Sequence, residues 1–172
     1  MRRSQPRIIF RSARPASLNQ AWIIMLSPGL KKLLEEILGT QYFAVLNTLG
    51  CGKPYANLVS FAATPGLKSL VFVTPRDTAK YANLKANSSV SLLIDNRSNQ
   101  PGDIARASAV TALGAAREVL ENKNELCELL VVKNPMLRAF VYNPAAALIL
   151  VDVDEYLIAG FEKTQRVSMA GP

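Results

Sequence analysis

From Tyr42 onward the chain is cut into apolar segments of strand length, each closed by a turn signal, and this punctuation limits the fold more than any other feature. "YFAVLNTL" (42–49) and "YANLVSFAA" (55–63) flank "GCGKP", a connection of hairpin length holding two glycines and a proline. "TPGLKS" then turns the chain into "LVFVT" (70–74), so three strands follow one another as a meander. Later come "SVSLLID" (89–95), the polar loop "NRSNQPGD", and "IARASAVTALGAAREV", whose small residues suit a long strand bent near Gly114. The segment "AAALILVDVDEYLIAGFEKTQRV" (145–167) supplies one or two more strands. About six strands in hairpin order, without the strand–helix alternation of a doubly wound sheet, predict a mainly β fold with short helices, an antiparallel barrel.

Three helices decorate this pattern. "SPGLKKLLEEILG" has Ser27 as N-cap, Pro28 at the first helical position, apolar residues at 30, 33, 34, 37 and 38, and Gly39 as stop. A second helix is expected over 78–87. "ENKNELCELLVVKN" is an amphipathic third, ended by Pro135.

A length of 172 residues fits one domain with its own core. The longest strongly apolar runs, "AWIIML" and "AAALILV", fall well short of the roughly 20 residues that cross a bilayer. The net charge of +7 invites a nucleic-acid partner, but five of the arginines stand in residues 1–24 with no acid beside them, leaving 15 basic and 13 acidic residues for the rest. We therefore expect residues 1–24 to be a dispensable or disordered basic extension and residues 25–172 to be the domain; a leader or a polyanion-binding arm are the alternatives. The remainder lacks a basic stripe interleaved with aromatics, which argues against nucleic acid.

Two cysteines without CxxC spacing indicate a reduced, cytoplasmic protein. The absence of histidine excludes Ser-His-Asp and Cys-His catalysis and His-based zinc sites, so proton chemistry falls to carboxylates, Lys, Tyr, water or a cofactor. Cys51, between two glycines, has no base near it in sequence and is not expected to be a catalytic thiol. The carboxylates of "DVDE" (152–155) alternate as metal ligands do, but also as a solvated strand face does, and no metal site is expected. Tyr81 and Phe161 are aromatics that either touch a ring system or belong to the core.

The candidate site is "VTPRDTAK" (73–80), where a strand meets a helix start. Unpartnered N–H groups and the helix dipole favour an anion there, with Thr78 as cap and Arg76 and Lys80 as cations. The same residues also fit a plain N-cap with solvated cations on either side. There is no GxGxxG and no Walker A pattern to supply a phosphate loop elsewhere.

The run "LVFVTPRDTAKYANLKANSSVSLLI" resembles the flavin-phosphate segment of the pyridoxamine 5'-phosphate oxidase-like, FMN-binding split-barrel superfamily, with Thr74, Thr78, Lys80, Asn87 and "VSLL" in register. "GKPYANLVSFAA" is similar to that superfamily's strand beside the flavin. The resemblance implies a split β-barrel of FMN-binding type and a homodimer with flavin at the subunit interface. It implies a flavin-dependent oxidoreductase acting on a small-molecule redox substrate, without naming the substrate or a catalytic residue. Lys80, Thr78 and Arg76 would hold the phosphate, while Asn57, Leu58, Val59, Ser60 and Thr74 line the ribityl chain and ring. Asn96 and Arg97 would reach the cofactor or the partner subunit, and Ser108 would lie near the phosphate. Ala79 stands where the superfamily places an arginine, with Arg76 as its replacement from the preceding turn. The oxidase's arginine and lysine are replaced by Asn57 and Ala62 in the upstream strand, which marks a divergent member and not a vitamin B6 oxidase. F420 or haem are the alternative ligands, haem needing Tyr, Cys or Met in place of histidine; a non-catalytic flavin- or anion-binding module is the alternative outside enzymes.

Overall fold

Ser27 starts the first helix, its Oγ accepting from Leu30 N–H at 3.3 Å. The computed structural model describes residues 27–160 and 163–169, so the basic extension, Met25 and Phe161 lie outside the described residues. Helix α1 (Pro28–Thr40) buries Leu30, Leu34, Ile37 and Leu38 while Lys31 and Glu35 pair at 3.7 Å on its exposed side. Each such leucine removed from water is worth about 1.5–3 kcal/mol, which fixes the helix to the barrel far more firmly than its surface ion pair can.

The strands are β1 (Phe43–Gly50), β2 (Lys53–Ala63), β3 (Ser69–Pro75), β4 (Ser89–Asp95), β5 (Ala109–Glu118), β6 (Ala146–Ala159) and β7 (Thr164–Ser168). The helices after α1 are α2 (Ala79–Ala86), α3 (Asp103–Arg106), α4 (Asn124–Lys133) and α5 (Arg138–Val141). Gly50 pairs with Lys53, so β1 and β2 are joined by Cys51 and Gly52 alone, both at positive φ (51° and 74°). Positive φ at both central residues is the hairpin turn whose twist matches its strands.

The hydrogen-bonded order is β3-β2-β1-β4-β5-β6-β7, and β3 also pairs with β6. Every pairing is antiparallel, and the β3–β6 contact closes six strands into a barrel while β7 is added to the far half of β6. The expected barrel is present, and the closing sequence forms two strands. The bend expected near Gly114 is a register shift between Leu113 and Gly114.

Strand β6 shows why its two halves differ in sequence. From Ala146 to Val151 every residue is buried, because Ala147, Ile149 and Val151 face the barrel core while Leu148 and Leu150 join a second cluster with Cys127, Leu130 and Val131 of α4. Beyond Val151 burial alternates, the outward side chains being exposed or half-buried. The "DVDE" carboxylates sit there: Asp152 takes Arg117 at 2.9 Å and Glu155 takes Arg166 at 3.3 Å. Tyr156, wholly buried, donates from its hydroxyl to Leu67 O at 2.8 Å, tying β6 to the β2–β3 turn. No described helix is long and apolar enough to cross a membrane.

Candidate functional site

The alternation of β3 sends Leu70 and Phe72 into the core and Val71 and Val73 toward the second cluster. Thr74 is wholly buried, and its Oγ1 lies 3.2 Å from Thr78 Oγ1. Thr78 Oγ1 donates to Pro75 O at 2.9 Å and accepts from Tyr81 N–H at 3.4 Å. The two threonines therefore bond each other and the turn, and Thr78 caps α2. The N–H groups of Ala79 and Lys80 remain without intrahelical acceptors at the helix start, where the dipole favours an anion.

The two cations of this turn have different surroundings. Arg76 donates to Glu118 Oε1 and to Pro144 O, both at 2.7 Å. Tyr81 donates to Glu118 Oε2 at 2.8 Å, so one carboxylate at the end of β5 is gripped from both sides. Desolvation pushes the Glu118 carboxyl up, but the Tyr81 and Arg76 hydrogen bonds and the Arg76 charge outweigh it and hold the group below its ordinary range. The same contact with Glu118 raises both the Tyr81 hydroxyl and the Arg76 guanidinium. Lys80, in contrast, makes no salt bridge and no side-chain hydrogen bond among the described residues.

Lys80 stands at a groove of about 240 Å³ whose walls include Leu58 and Ser60 of β2, Val73 of β3, Leu130 of α4, and Phe140 of α5. Leu58, Val59, Ser60 and Lys80 thus meet at one place, and Ser60 Oγ donates to Tyr42 O at 3.1 Å. Asn57 is paired in register with Leu46, a fully buried residue, and its Oδ1 is buried with no hydrogen-bond partner among the described residues. Thr74 and Thr78 form the floor of the turn that presents Lys80.

Asn96, Arg97 and Ser108 gather elsewhere. Ser108 N–H donates to Asn96 Oδ1 at 2.8 Å, Asn96 N–H donates to Ser108 O at 3.3 Å, and exposed Arg97 pairs with Asp95 at 3.2 Å. They close the β4–β5 connection, and none of them lines the groove. Tyr81 packs against the barrel cluster with its hydroxyl on Glu118, and Cys51 is exposed at the hairpin tip. Glu118, Leu137 and Phe140 were not singled out from sequence; Glu118 reads as an ordinary charged strand end, and the others come from a helical connection 60 positions past Lys80.

The groove combines one cation without a counter-ion among the described residues, two amides at a helix start without intrahelical acceptors, and an apolar wall. That donor set suits a ligand with a single phosphate and a flat apolar ring. Among the groove-lining residues there is no Tyr, Cys, Met or His to ligate an iron.

An outer apolar face adjoins the groove. Leu58 is 64% and Phe43 54% exposed, and the register carries Leu58 across to Val45, Leu93, Thr111 and Leu157 on neighbouring strands.

Residues 30–156 match the family model described as pyridoxamine 5'-phosphate oxidase. Among solved structures, a heme binding protein from Mycobacterium smegmatis aligns with TM-score 0.69 at 16% identity, over 77% of this chain and 55% of its own, so this chain spans about half of that protein. General Stress Protein 26 from Bacillus anthracis aligns with TM-score 0.62 at 20% identity, over 80% and 98%. A FAD-binding protein from Mesorhizobium loti aligns with TM-score 0.58 at 13% identity, over 74% and 91%. No curated protein matches the sequence.

Proposed function

Because the chain belongs to the pyridoxamine 5'-phosphate oxidase family, we propose that it is an FMN-binding flavoprotein, a cytoplasmic oxidoreductase working as a homodimer on a small-molecule redox substrate. The observation that carries this is Lys80: a lysine without a counter-ion among the described residues, at the start of a capped helix, on the rim of an apolar groove. Lys80 and the N–H groups of Ala79 and Lys80 bind the phosphate, and Thr78 holds those amides in place through its cap. Arg76, committed to Glu118 and Pro144 O, braces the turn from behind. Leu58, Val59 and Ser60, with Val73 and Phe140, flank the ribityl chain and ring, and the orphaned Asn57 Oδ1 awaits a donor near the same strand.

FMN supplies the redox chemistry when bound, exchanging electrons with the substrate. The protein positions it, excludes water with Leu130, Leu137 and Phe140, and sets the charge at its phosphate end. The absence of histidine is compatible with this division of labour. The one lysine among the described groove-lining residues favours one phosphate over the more highly charged tail of F420, and the lack of an iron ligand among those residues disfavours haem. The exposed Phe43 and Leu58 on this outer face support pairing of two copies, since such surface is costly to leave in water. By the same chemistry, Asn96, Arg97 and Ser108 belong to the edge of the site nearest a second subunit.

The visible spectrum of the purified protein, before and after heat release of small molecules, tests the proposal. Oxidised flavin gives a two-banded absorption that passes to the supernatant. A colourless protein that takes up no added FMN refutes it.

A further inference from the structure

Helix α2 carries the phosphate donors on only eight residues, of which Leu84 alone is buried. So short a helix is not stable by itself and takes its orientation from ties to the barrel. One tie is Tyr81 to Glu118 at the end of β5. Another runs to β1: Asn83 Nδ2 donates to Thr48 Oγ1 at 3.0 Å, and the Thr48 hydroxyl, on a residue 2% exposed, donates onward to Tyr55 O at 3.4 Å across the β1–β2 pair. The end of β1 is shaped to receive it. A Cβ at Gly50 would stand 2.7 Å from Asn83 Oδ1 and 2.9 Å from Asn83 Nδ2. Gly50 is not at positive φ, so its backbone would admit alanine, and what the glycine provides is room for the Asn83 amide.

Helical spacing shows what this tie controls. Tyr81 and Asn83 leave the helix about 160° apart, so the two ties grip it from opposite sides and fix its roll. Asn83 follows Lys80 by three residues and shares its face. Thr48 stands on β1, whose neighbour β2 supplies Leu58 and Ser60 to the groove. The face that bears Lys80 is thereby bound to the strands of the groove wall. A roll of α2, or a swing of its first turn, would carry Lys80 and the helix-start amides away from the phosphate position while leaving the apolar wall in place. We propose that Asn83, Thr48 and Gly50 form a latch that positions the phosphate donors and so sets the preference for a phosphorylated flavin over riboflavin, its unphosphorylated form; the inference rests on the flavin reading of the groove. Asn83 does not line the groove. It is a positioning residue that acts through Lys80 and the amides of α2.

The test compares Kd for FMN with Kd for riboflavin on the full chain, both read from flavin fluorescence. In Gly50→Ala the new methyl displaces the Asn83 amide, and Kd for FMN should rise about fivefold, the net worth of one hydrogen bond, while Kd for riboflavin stays where it is. Thr48→Val fills the same space without a hydroxyl and should do the same, whereas Thr48→Ser keeps the hydroxyl and should restore the wild-type ratio. On an Asn83→Ala background Gly50→Ala should add nothing, because the side chain it displaces is gone. A wild type that takes up no FMN refutes the flavin reading and this inference with it. A wild type that binds FMN, with Gly50→Ala and Thr48→Val shifting both flavins equally or neither, overturns the latch alone, as do additive effects of Gly50→Ala and Asn83→Ala.

Discussion

Replacing Lys80 by alanine isolates the phosphate contact. The lysine has no salt bridge or side-chain hydrogen bond to lose among the described residues, so the folded chain should keep its stability and only ligand binding should change. A hydrogen bond to a charged group is worth about 1.5–3 kcal/mol. Lys80 is partly solvated at the groove rim and the two helix-start amides remain, so we take about 1–2 kcal/mol, which is roughly a 5- to 30-fold rise in Kd for FMN. Quenching of flavin fluorescence on binding measures it directly. Lys80→Arg should recover most of the affinity, and raising the salt concentration should narrow the gap between wild type and Lys80→Ala. Arg76→Ala should behave in the opposite way. It leaves the Glu118 carboxylate, 11% exposed in its side chain, with Tyr81 as its remaining side-chain partner, and so lowers Tm with little change in FMN affinity. If Arg76→Ala weakens FMN as much as Lys80→Ala does, or if Lys80→Ala leaves Kd unchanged, the assignment of the phosphate to Lys80 is wrong.

Three other outcomes follow from the geometry. Leu58→Glu puts a charge on the most exposed residue of the outer apolar row and should halve the mass seen by sedimentation, whereas a wild-type chain already monomeric at micromolar concentration would contradict the dimer. Gly114→Ala drives its Cβ into the Asp152 carbonyl oxygen at the register shift; overpacking of this kind costs about 1–3 kcal/mol, and each kcal/mol lowers Tm by about 2–4 °C in a domain of this size. For Lys133, whose folded value of about 8 lies below its ordinary 10.5, the unfolded chain binds more protons between those values, so this group makes stability rise with pH across that window. Lys133→Met should therefore shift the difference between urea midpoints at pH 7.5 and pH 9.5 toward lower stability at the higher pH, relative to wild type.

The fold was legible where the determinants are local. Ser27-Pro28 and Thr78 are caps whose hydrogen bonds span three residues, and "GCGKP" is a turn between two adjacent strands. The barrel itself was expected, but the strands that close it were not legible, since the pairing of Leu70 with Val151 depends on the accumulated twist of four intervening strands. The site divides in the same way. Lys80 at the start of α2 and the Leu58–Ser60 stretch of β2 line one groove, and both segments carry local signals of their own. The commitment of Arg76 to Glu118 joins residues 42 positions apart on non-adjacent elements, and nothing in either local sequence announces it. Asn96, Arg97 and Ser108 sit at the β4–β5 connection, where Asn96 and Ser108 bond each other and Arg97 pairs with Asp95.

Strand β6 is shared by β3, β5 and β7, and its pairing with β3 joins residues 69–75 to 146–152. On a ribosome, β1 to β5 are complete long before β6 exists, and during that interval β3 has an unpaired edge carrying Leu70, Phe72 and an unburied Thr74. Closure over so long a stretch of chain places this protein among slowly folding, high-contact-order topologies. The turn that presents Lys80 ends on that same waiting strand, so competence to hold a ligand arrives only with the last third of the chain. A cofactor present during synthesis would meet a half-built cradle, so any loading would come late in biogenesis.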